Sequence, residues 1–203
     1  MSVLNRIVLV RHGETGGESS IRFHGSGDVP LSDLGREQMR RASKQIRGEG
    51  FDLIVASRLS RAWEAARILA PEMPVRLEPD FCEIDFGRWE GLTREEIREL
   101  DPILYADWQE QKGVFDFPEG EKRADFRARV LRGLDRLLAG PDRSIIVVAH
   151  KGIVREITNK LTGVTLEPDE PHLAGVSQVT RDASGQWRLG RRSSNPGELG
   201  DPA

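Results

Sequence analysis

The chain has 203 residues, with 30 lysines and arginines against 33 aspartates and glutamates and a formal charge of −3. That length suits one domain, at about 100–200 residues each, and the charge balance gives no overall field for gathering nucleic acid. The one cysteine, Cys82, excludes an intramolecular disulfide, and no apolar stretch approaches the ~20 residues of a membrane-spanning helix. Met1 to Arg6 lead into the first strand without the apolar core of a signal peptide. The expectation is a cytoplasmic monomer or homodimer with neither nucleic acid nor membrane as partner.

In chain order, the apolar run Ile7-Val8-Leu9-Val10 reads as a buried strand. The Gly/Ser-rich segment 13–30 that follows is longer than the roughly 12–15 residues beyond which unstructured connections are usually functional or disordered, and it reads as functional. Ser32 caps a predicted helix with Leu34, Met39, Ala42 and Ile46 on its apolar face, stopping near Gly48-Glu49-Gly50. Asp52 to Ala56 is the second strand. Ser57 is expected to cap a helix that carries Leu59, Ala62, Ala66 and Leu69 and ends at Pro71.

A short strand at Val75-Arg76-Leu77 leads to an irregular stretch, Phe81 to Leu92, in which Glu83, Asp85 and Glu90 alternate with aromatics. Thr93-Arg94-Glu95-Glu96 has the pattern of a capping box, and Asp101-Pro102 that of an N-cap and first helical residue. An amphipathic helix is predicted from about Glu121 to Leu138, then a strand at Ile145 to Ala149, a helix at Ile153 to Leu161, and closing strands near Val176–Thr180 and Gln186–Leu189. This alternation predicts an α/β, three-layer αβα architecture with a mainly parallel sheet. A single domain is expected over residues 1–192, with a small helical cap inserted at about 92–120 and a tail at 193–203 rich in chain breakers. The basic cluster Arg188 to Arg192 reads as a solvated strand edge.

Two histidines stand at equivalent places. His12 follows the first strand and His150 follows the strand ending at Ala149, each with a glycine close behind, Gly13 and Gly152. Open α/β sheets bind ligands at the carboxyl ends of their strands, so one topology can gather two imidazoles and Arg11 over one crevice. Phosphoryl transfer needs such a set: a nucleophile in line with the leaving oxygen, and positive donors around the equatorial oxygens. Neutral imidazole is available as that nucleophile near pH 7.

Leu9-Val10-Arg11-His12-Gly13-Glu14-Thr15, with Arg22-Phe23-His24-Gly25 and Pro30-Leu31-Ser32-Asp33-Leu34-Gly35, resembles the opening motif of the histidine phosphatase superfamily, the phosphoglycerate-mutase-like fold. Ser57-Arg58-Leu59-Ser60-Arg61-Ala62 resembles its second arginine motif, Glu83-Ile84-Asp85-Phe86-Gly87-Arg88-Trp89-Glu90-Gly91 its acid motif, and Val148-Ala149-His150-Lys151-Gly152 its second histidine motif. The resemblance implies that His12 carries a transient phosphohistidine, that Arg11, Arg61 and His150 bind the phosphoryl oxygens, and that Glu83 protonates the leaving alkoxide. Taken alone, Arg61 reads as a helix-face charge, and Glu83 competes with Glu14, Asp85 and Glu90 for the acid role.

The chain departs from the family pattern in places. Gly17 and Glu18 stand where Trp and Asn are common, which removes an amide donor to phosphate. His24, Arg22, Gly25 and Lys151 are the further candidates for phosphate or substrate contact. Arg58 and Ala65 replace a common proline and threonine. No pair of metal-ligand residues has the short spacing of a zinc site, so neither metal nor cofactor is expected. Mutases of the family carry a longer insertion than Leu92 to Glu119. The expectation is therefore a phosphomonoesterase acting on a small phosphorylated metabolite, with a mutase or a silent phosphate-binding regulatory module as alternatives.

Overall fold

The computed structural model describes residues 3–16, 21–111 and 114–192; Gly17, Glu18 and the expected tail from Ser193 lie outside them. Six strands form one sheet in the order β3-β2-β4-β1-β5-β6. They are β1 Arg6–Arg11, β2 Leu53–Ala56, β3 Val75–Leu77, β4 Ser144–Ala149, β5 Val176–Arg181 and β6 Trp187–Arg192. The first four are mutually parallel, and β5 and β6 add antiparallel at one end. The expected mainly parallel sheet is found, and the exposed Arg188, Arg191 and Arg192 lie on its edge strand.

Alternation along the strands builds two cores. Ile7 and Leu9 of β1 and Ile145 and Val147 of β4 face a cluster that includes Val130, Leu134, Ile153 and Ile157, from helices α5 (Arg123–Leu138) and α6 (Lys151–Thr162). Val8, Val10, Ile146 and Val148 face Met39, Ala42, Ala65 and Ala66 on the other side, from α1 (Asp33–Ile46) and α2 (Ser60–Leu69). A strand covered on both faces has to read as a continuous apolar run, as these do. Each fully buried aliphatic side chain contributes about 1.5–3 kcal/mol, so the central strands are the rigid part of the scaffold.

Helices α3 (Arg94–Leu100) and α4 (Pro102–Glu110) occupy the segment expected to form the cap. The capping box at Thr93 and Glu96 is present. The cap is bolted down by aromatics: Trp89 stacks on Phe115 at 5.3 Å, and Phe23 meets both Trp108 and Phe86 edge-on at 5.4 and 5.1 Å. Because Phe23 belongs to the segment after β1, that segment and the cap are held together. Bridges between Thr15 and Leu31 and between Arg22 and Thr93 pin the same segment further.

Four local expectations are corrected. Leu34 is 55% exposed, because Gly35, not Leu34, is the buried residue of the first turn of α1, packed against the Glu14 main chain. Ser57 is not an N-cap. Leu59 holds that position, while the Ser57 hydroxyl accepts from the Leu59 amide two residues on. Asp101 sits at the N-cap of α4 without capping it, since its carboxylate accepts from the buried Trp89 indole at 2.8 Å and from Arg88 at 2.7 Å. Helix α6 begins at Lys151, two residues before the expected start, directly after His150.

Candidate active site

The parallel register pairs Arg11 with Ala149. One residue further, His12 and His150 therefore lie side by side, their ring centroids 5.1 Å apart at an interplanar angle of 65°, with the His12 amide donating to the Ala149 carbonyl at 3.0 Å. Both are buried, 6% and 1% exposed. His12 Nδ1 lies 2.7 Å from the Gly13 carbonyl. A carbonyl only accepts, so Nδ1 carries the proton and Nε2 presents a free lone pair. Burial, followed by the charges of Arg61 and Arg11, holds the His12 pKa well below its usual value. Burial, Arg61 and His12 do the same to His150. Both rings are neutral near pH 7.

Two guanidinium groups converge on this pair. Arg61, in the first turn of α2, is fully buried. It donates to the carbonyls of Gly27 at 2.7 Å and Gly25. Arg11 donates to the Pro171 carbonyl at 2.9 Å. Carbonyl partners orient both side chains without neutralising them. Among the described residues, Arg11 Nε, Arg61 Nε and both ring nitrogens of His150 are buried and without a hydrogen-bond partner in the protein. Each buried polar group left unpaired costs about 1–3 kcal/mol, and several of them in one place form an arrangement that can receive an oxygen-rich anion. Burial lowers the Arg11 pKa to about 10, with Arg61 pushing the same way and Glu83 opposing.

Glu83 is buried beside them, 7% exposed. Its Oε2 accepts from the Gly152 amide at 2.9 Å and its Oε1 from the Ile84 amide at 3.0 Å. A side chain at position 152 is impossible without movement, because its Cβ would fall 2.5 Å from Glu83 Oε1. The rival carboxylates are otherwise engaged. Glu90 accepts from the Gly25, Ser26 and Phe86 amides, Glu14 from the Ser32 hydroxyl, and Asp85 from the Gly87 amide. Of the four, Glu83 is the one whose charge is felt by both Arg11 and Arg61 as their largest opposing influence.

The remaining candidates divide. Arg22 donates to the Gly91 carbonyl and to Glu96, both at 2.8 Å, on the cap side. Gly25 serves as backbone, its carbonyl oriented to Arg61 and its amide to Glu90, in a spot where a Cβ would meet the Ile84 carbonyl at 2.1 Å. His24 lies near enough for its charge to depress His12. Lys151 is half-buried at the start of α6.

Two positioning residues escaped the sequence reading. Arg129 donates to the carbonyls of Asp80, Cys82 and Glu83 at 2.8, 2.6 and 3.1 Å while paired with Glu121 at 2.6 Å, and so braces the backbone that carries Glu83. Arg155 donates to the carbonyls of Leu166 and Glu170, both at 2.9 Å, and of Glu167, which fixes the loop whose Pro171 carbonyl holds Arg11. An arginine's reach to distant carbonyls leaves no local pattern; only their places on inward-leaning turns of α5 and α6 signal them. Among the described residues no group of three His, Cys, Asp or Glu is arranged to hold a metal ion, and no helix is long and apolar enough to cross a membrane.

Residues 7–193 match the family described as histidine phosphatase superfamily (branch 1). The chain belongs to that superfamily. Among its relatives, a bifunctional protein of Mycobacterium tuberculosis is 37% identical over 151 residues, covering 71% of this chain but 41% of that protein. The chain thus spans about two fifths of that relative's length. Glucosyl-3-phosphoglycerate phosphatase of Mycolicibacterium vanbaalenii is 31% identical over 187 residues, covering 87% of this chain and 82% of that one. The crystal structure of the α-ribazole phosphatase of Shigella flexneri superposes with a TM-score of 0.80 at 26% identity, over 93% of this chain and 96% of that chain. The chain has its α/β sheet and helical layers in common with that Shigella structure.

Proposed function

We propose that the protein is a phosphomonoesterase that hydrolyses a small phosphorylated metabolite through a phosphohistidine on His12. The observation that carries this is the fixed His12 tautomer, with Nε2 free, beside the unpartnered donors of Arg11, Arg61 and His150. In the first displacement Nε2 attacks phosphorus as the ester P–O bond breaks, and Glu83 gives its proton to the departing alkoxide. In the second, water attacks the phosphohistidine, Glu83 takes back a proton, and phosphate leaves with the imidazole restored. Arg11 and Arg61 supply the fixed positive charge and His150 a neutral N–H to the equatorial oxygens. Arg22, in this reading, holds the cap, Gly25 gives Arg61 a carbonyl, and His24 and Lys151 line the approach.

The names of the relatives, a glucosyl-3-phosphoglycerate phosphatase and an α-ribazole phosphatase, support a metabolite as substrate. The single cysteine, with no disulfide to form, agrees with a reducing compartment such as the cytoplasm. The test is phosphate release from a panel of phosphomonoesters in chelator, wild type beside His12→Ala, with acid-quenched trapping of labelled protein. Turnover and label that both depend on His12 are expected. Turnover that needs a divalent cation, or label that survives His12→Ala, overturns the mechanism. Transfer to a second hydroxyl in place of water would identify a mutase.

A further inference from the structure

The His12 tautomer depends on where the Gly13 carbonyl points, and that carbonyl belongs to a rigid unit. The peptide bond is planar and trans, so the Gly13 C=O and the Glu14 N–H lie in one plane and point in opposite directions. A bond at one end therefore fixes the aim of the other. At the near end the Gly13 oxygen lies 2.7 Å from His12 Nδ1. At the far end the Glu14 amide donates to Gln38 Oε1 at 2.8 Å. A backbone N–H only donates, so it is the side-chain oxygen of Gln38, not its nitrogen, that faces Glu14.

Helix α1 is placed to impose this. Its main chain touches the 13–14 segment directly: a Cβ on Gly13 would fall 2.5 Å from the Gly35 carbonyl oxygen, and one on Gly35 would overlap the Glu14 carbonyl. Gln38 stands three residues after Gly35, on the same face of the helix, which brings its side chain over Glu14. The start of α1 also takes the other polar groups of Glu14. The carbonyl accepts from the Ser32 amide at 3.0 Å and the carboxylate from the Ser32 hydroxyl at 2.6 Å. The His12 main chain is fixed from the sheet side, its amide on the Ala149 carbonyl and its carbonyl on the Ala174 amide, both at 3.0 Å. With that main chain held, the ring answers to the Gly13 carbonyl, and Gln38 is the side chain bonded across the peptide.

We propose that Gln38 is a positioning residue for the nucleophile: through the 13–14 peptide plane its side-chain oxygen keeps the His12 proton on Nδ1 and leaves the Nε2 lone pair free to attack phosphorus. It acts through the main chain, not on the substrate. The role of His12 as attacking group rests on the phosphatase reading above, whereas control of the tautomer stands apart from it. Without the Gln38 acceptor the Glu14 amide loses its partner, the peptide plane is free to turn, and the ring returns toward the Nε2–H form that free imidazole prefers, which cannot attack.

The experiment sets Gln38→Met, which keeps the length and removes the acceptor, beside Gln38→Glu, which keeps the acceptor. Met forms helix as readily as Gln, so α1 is retained. Ring-nitrogen chemical shifts of isotope-labelled protein read each tautomer directly, and the chain has only 4 histidines to assign. A neutral hydrogen bond weighs about two- to tenfold in an equilibrium. In Gln38→Met, His12 is therefore expected to shift toward a mixture of tautomers, and kcat to fall by about two- to tenfold with KM unchanged, because Arg11, Arg61 and His150 keep their places. Gln38→Glu should hold His12 in the wild-type form and restore most of kcat, and His24, His150 and His172 should keep their tautomers in both.

An unmoved His12 in Gln38→Met, tautomer changes spread over the other rings, or equal losses of kcat in the two variants overturns the proposal. Absent turnover in wild type, with a His12 tautomer that still follows Gln38, overturns the phosphatase reading and leaves the positioning role standing.

Discussion

Segment 78–83 lies between two groups of arginines that the fold treats in opposite ways. On its outer side, Arg132 and Arg136 of α5 meet Asp80 at 2.7 Å and Glu78 at 2.6 Å. The Glu78 and Asp80 carboxylates raise the Arg136 pKa above its usual value. On its inner side, Arg11 and Arg61 are oriented by carbonyl oxygens and held below their usual pKa by burial. The outer group is complete as it stands. In the inner group carbonyl oxygens, not carboxylates, hold the guanidinium groups, with Glu83 offsetting their charge from nearby, and that difference separates arginines tied to a carboxylate from arginines whose donors are only partly used.

The largest effect should come from the inner group. Replacing His12 by alanine is expected to remove phosphate release to background, a loss of about 10³-fold or more as for other covalent nucleophiles. Arg61→Lys, which keeps the charge but loses the planar fork that Gly25 and Gly27 orient, should cut kcat/KM by about a hundredfold. If Arg61→Lys retains full activity, the contrast between the two groups is wrong at its centre.

Glu83→Gln comes next. Loss of a general acid costs about 10²–10⁴-fold, while binding of inorganic phosphate measured by calorimetry should persist. Esters with good leaving groups, such as an aryl phosphate, should lose less in the first step than alkyl esters. Equal losses for both would argue that Glu83 does not protonate the leaving oxygen.

Arg129 bridges the two regions, and its replacement sharpens the comparison. Arg129→Met frees three carbonyls and leaves Glu121 unpaired. It is expected to lower stability by about 1–3 kcal/mol in urea unfolding. Alkyl ester turnover should fall more than aryl ester turnover, a split that general destabilisation would not produce. Arg132→Ala, at an ion pair whose arginine side chain is 60% exposed, should change stability by less than about 1 kcal/mol and leave turnover alone.

Acid separates the regions by pH. His12 and His150 stay neutral in the fold but ionise around 6.5 in the unfolded chain, so below that pH the unfolded state binds more protons and stability falls as pH drops. Asp80 acts lower. Burial alone would raise its pKa, but its bonds to Arg132 and Arg136 bring it below the usual 3.8, and their contribution is lost only as pH falls through that lower value. The melting temperature should therefore decline already between about pH 7 and about pH 5, from the inner group, with inorganic phosphate reducing the loss. A melting temperature flat across that window would contradict the buried neutral histidines.

The strands and most helices were legible because their side chains answer to one neighbour on each face. The runs at Ile7–Val10 and Ile145–Ala149 are covered on both sides, and Met39, Ala42 and Ile46 recur at helical spacing. His12 and His150 were legible as a pair because strand ends in such a sheet share one rim. What sequence does not carry is which partner a polar group chooses across the fold. Ser57 has the chemistry of a cap and instead ties its own turn. Asp101 has the position of a cap but is drawn to a buried indole that would otherwise lack an acceptor. Arg22 lies in the opening motif yet reaches the cap, and Arg129 lies in an ordinary amphipathic helix yet orders the acid segment.

The loop from Leu166 to Pro171 is fastened to α6 and to Arg11 entirely through main-chain oxygens. Every residue type offers that same oxygen, so exposed side chains of this loop such as Pro168 and Asp169 can be replaced while Arg11 keeps its aim, unlike Leu166, buried in the core, and Glu170, paired with Arg192. The aim of the Arg11 guanidinium is thus insulated from change in the exposed side chains of the loop that holds it.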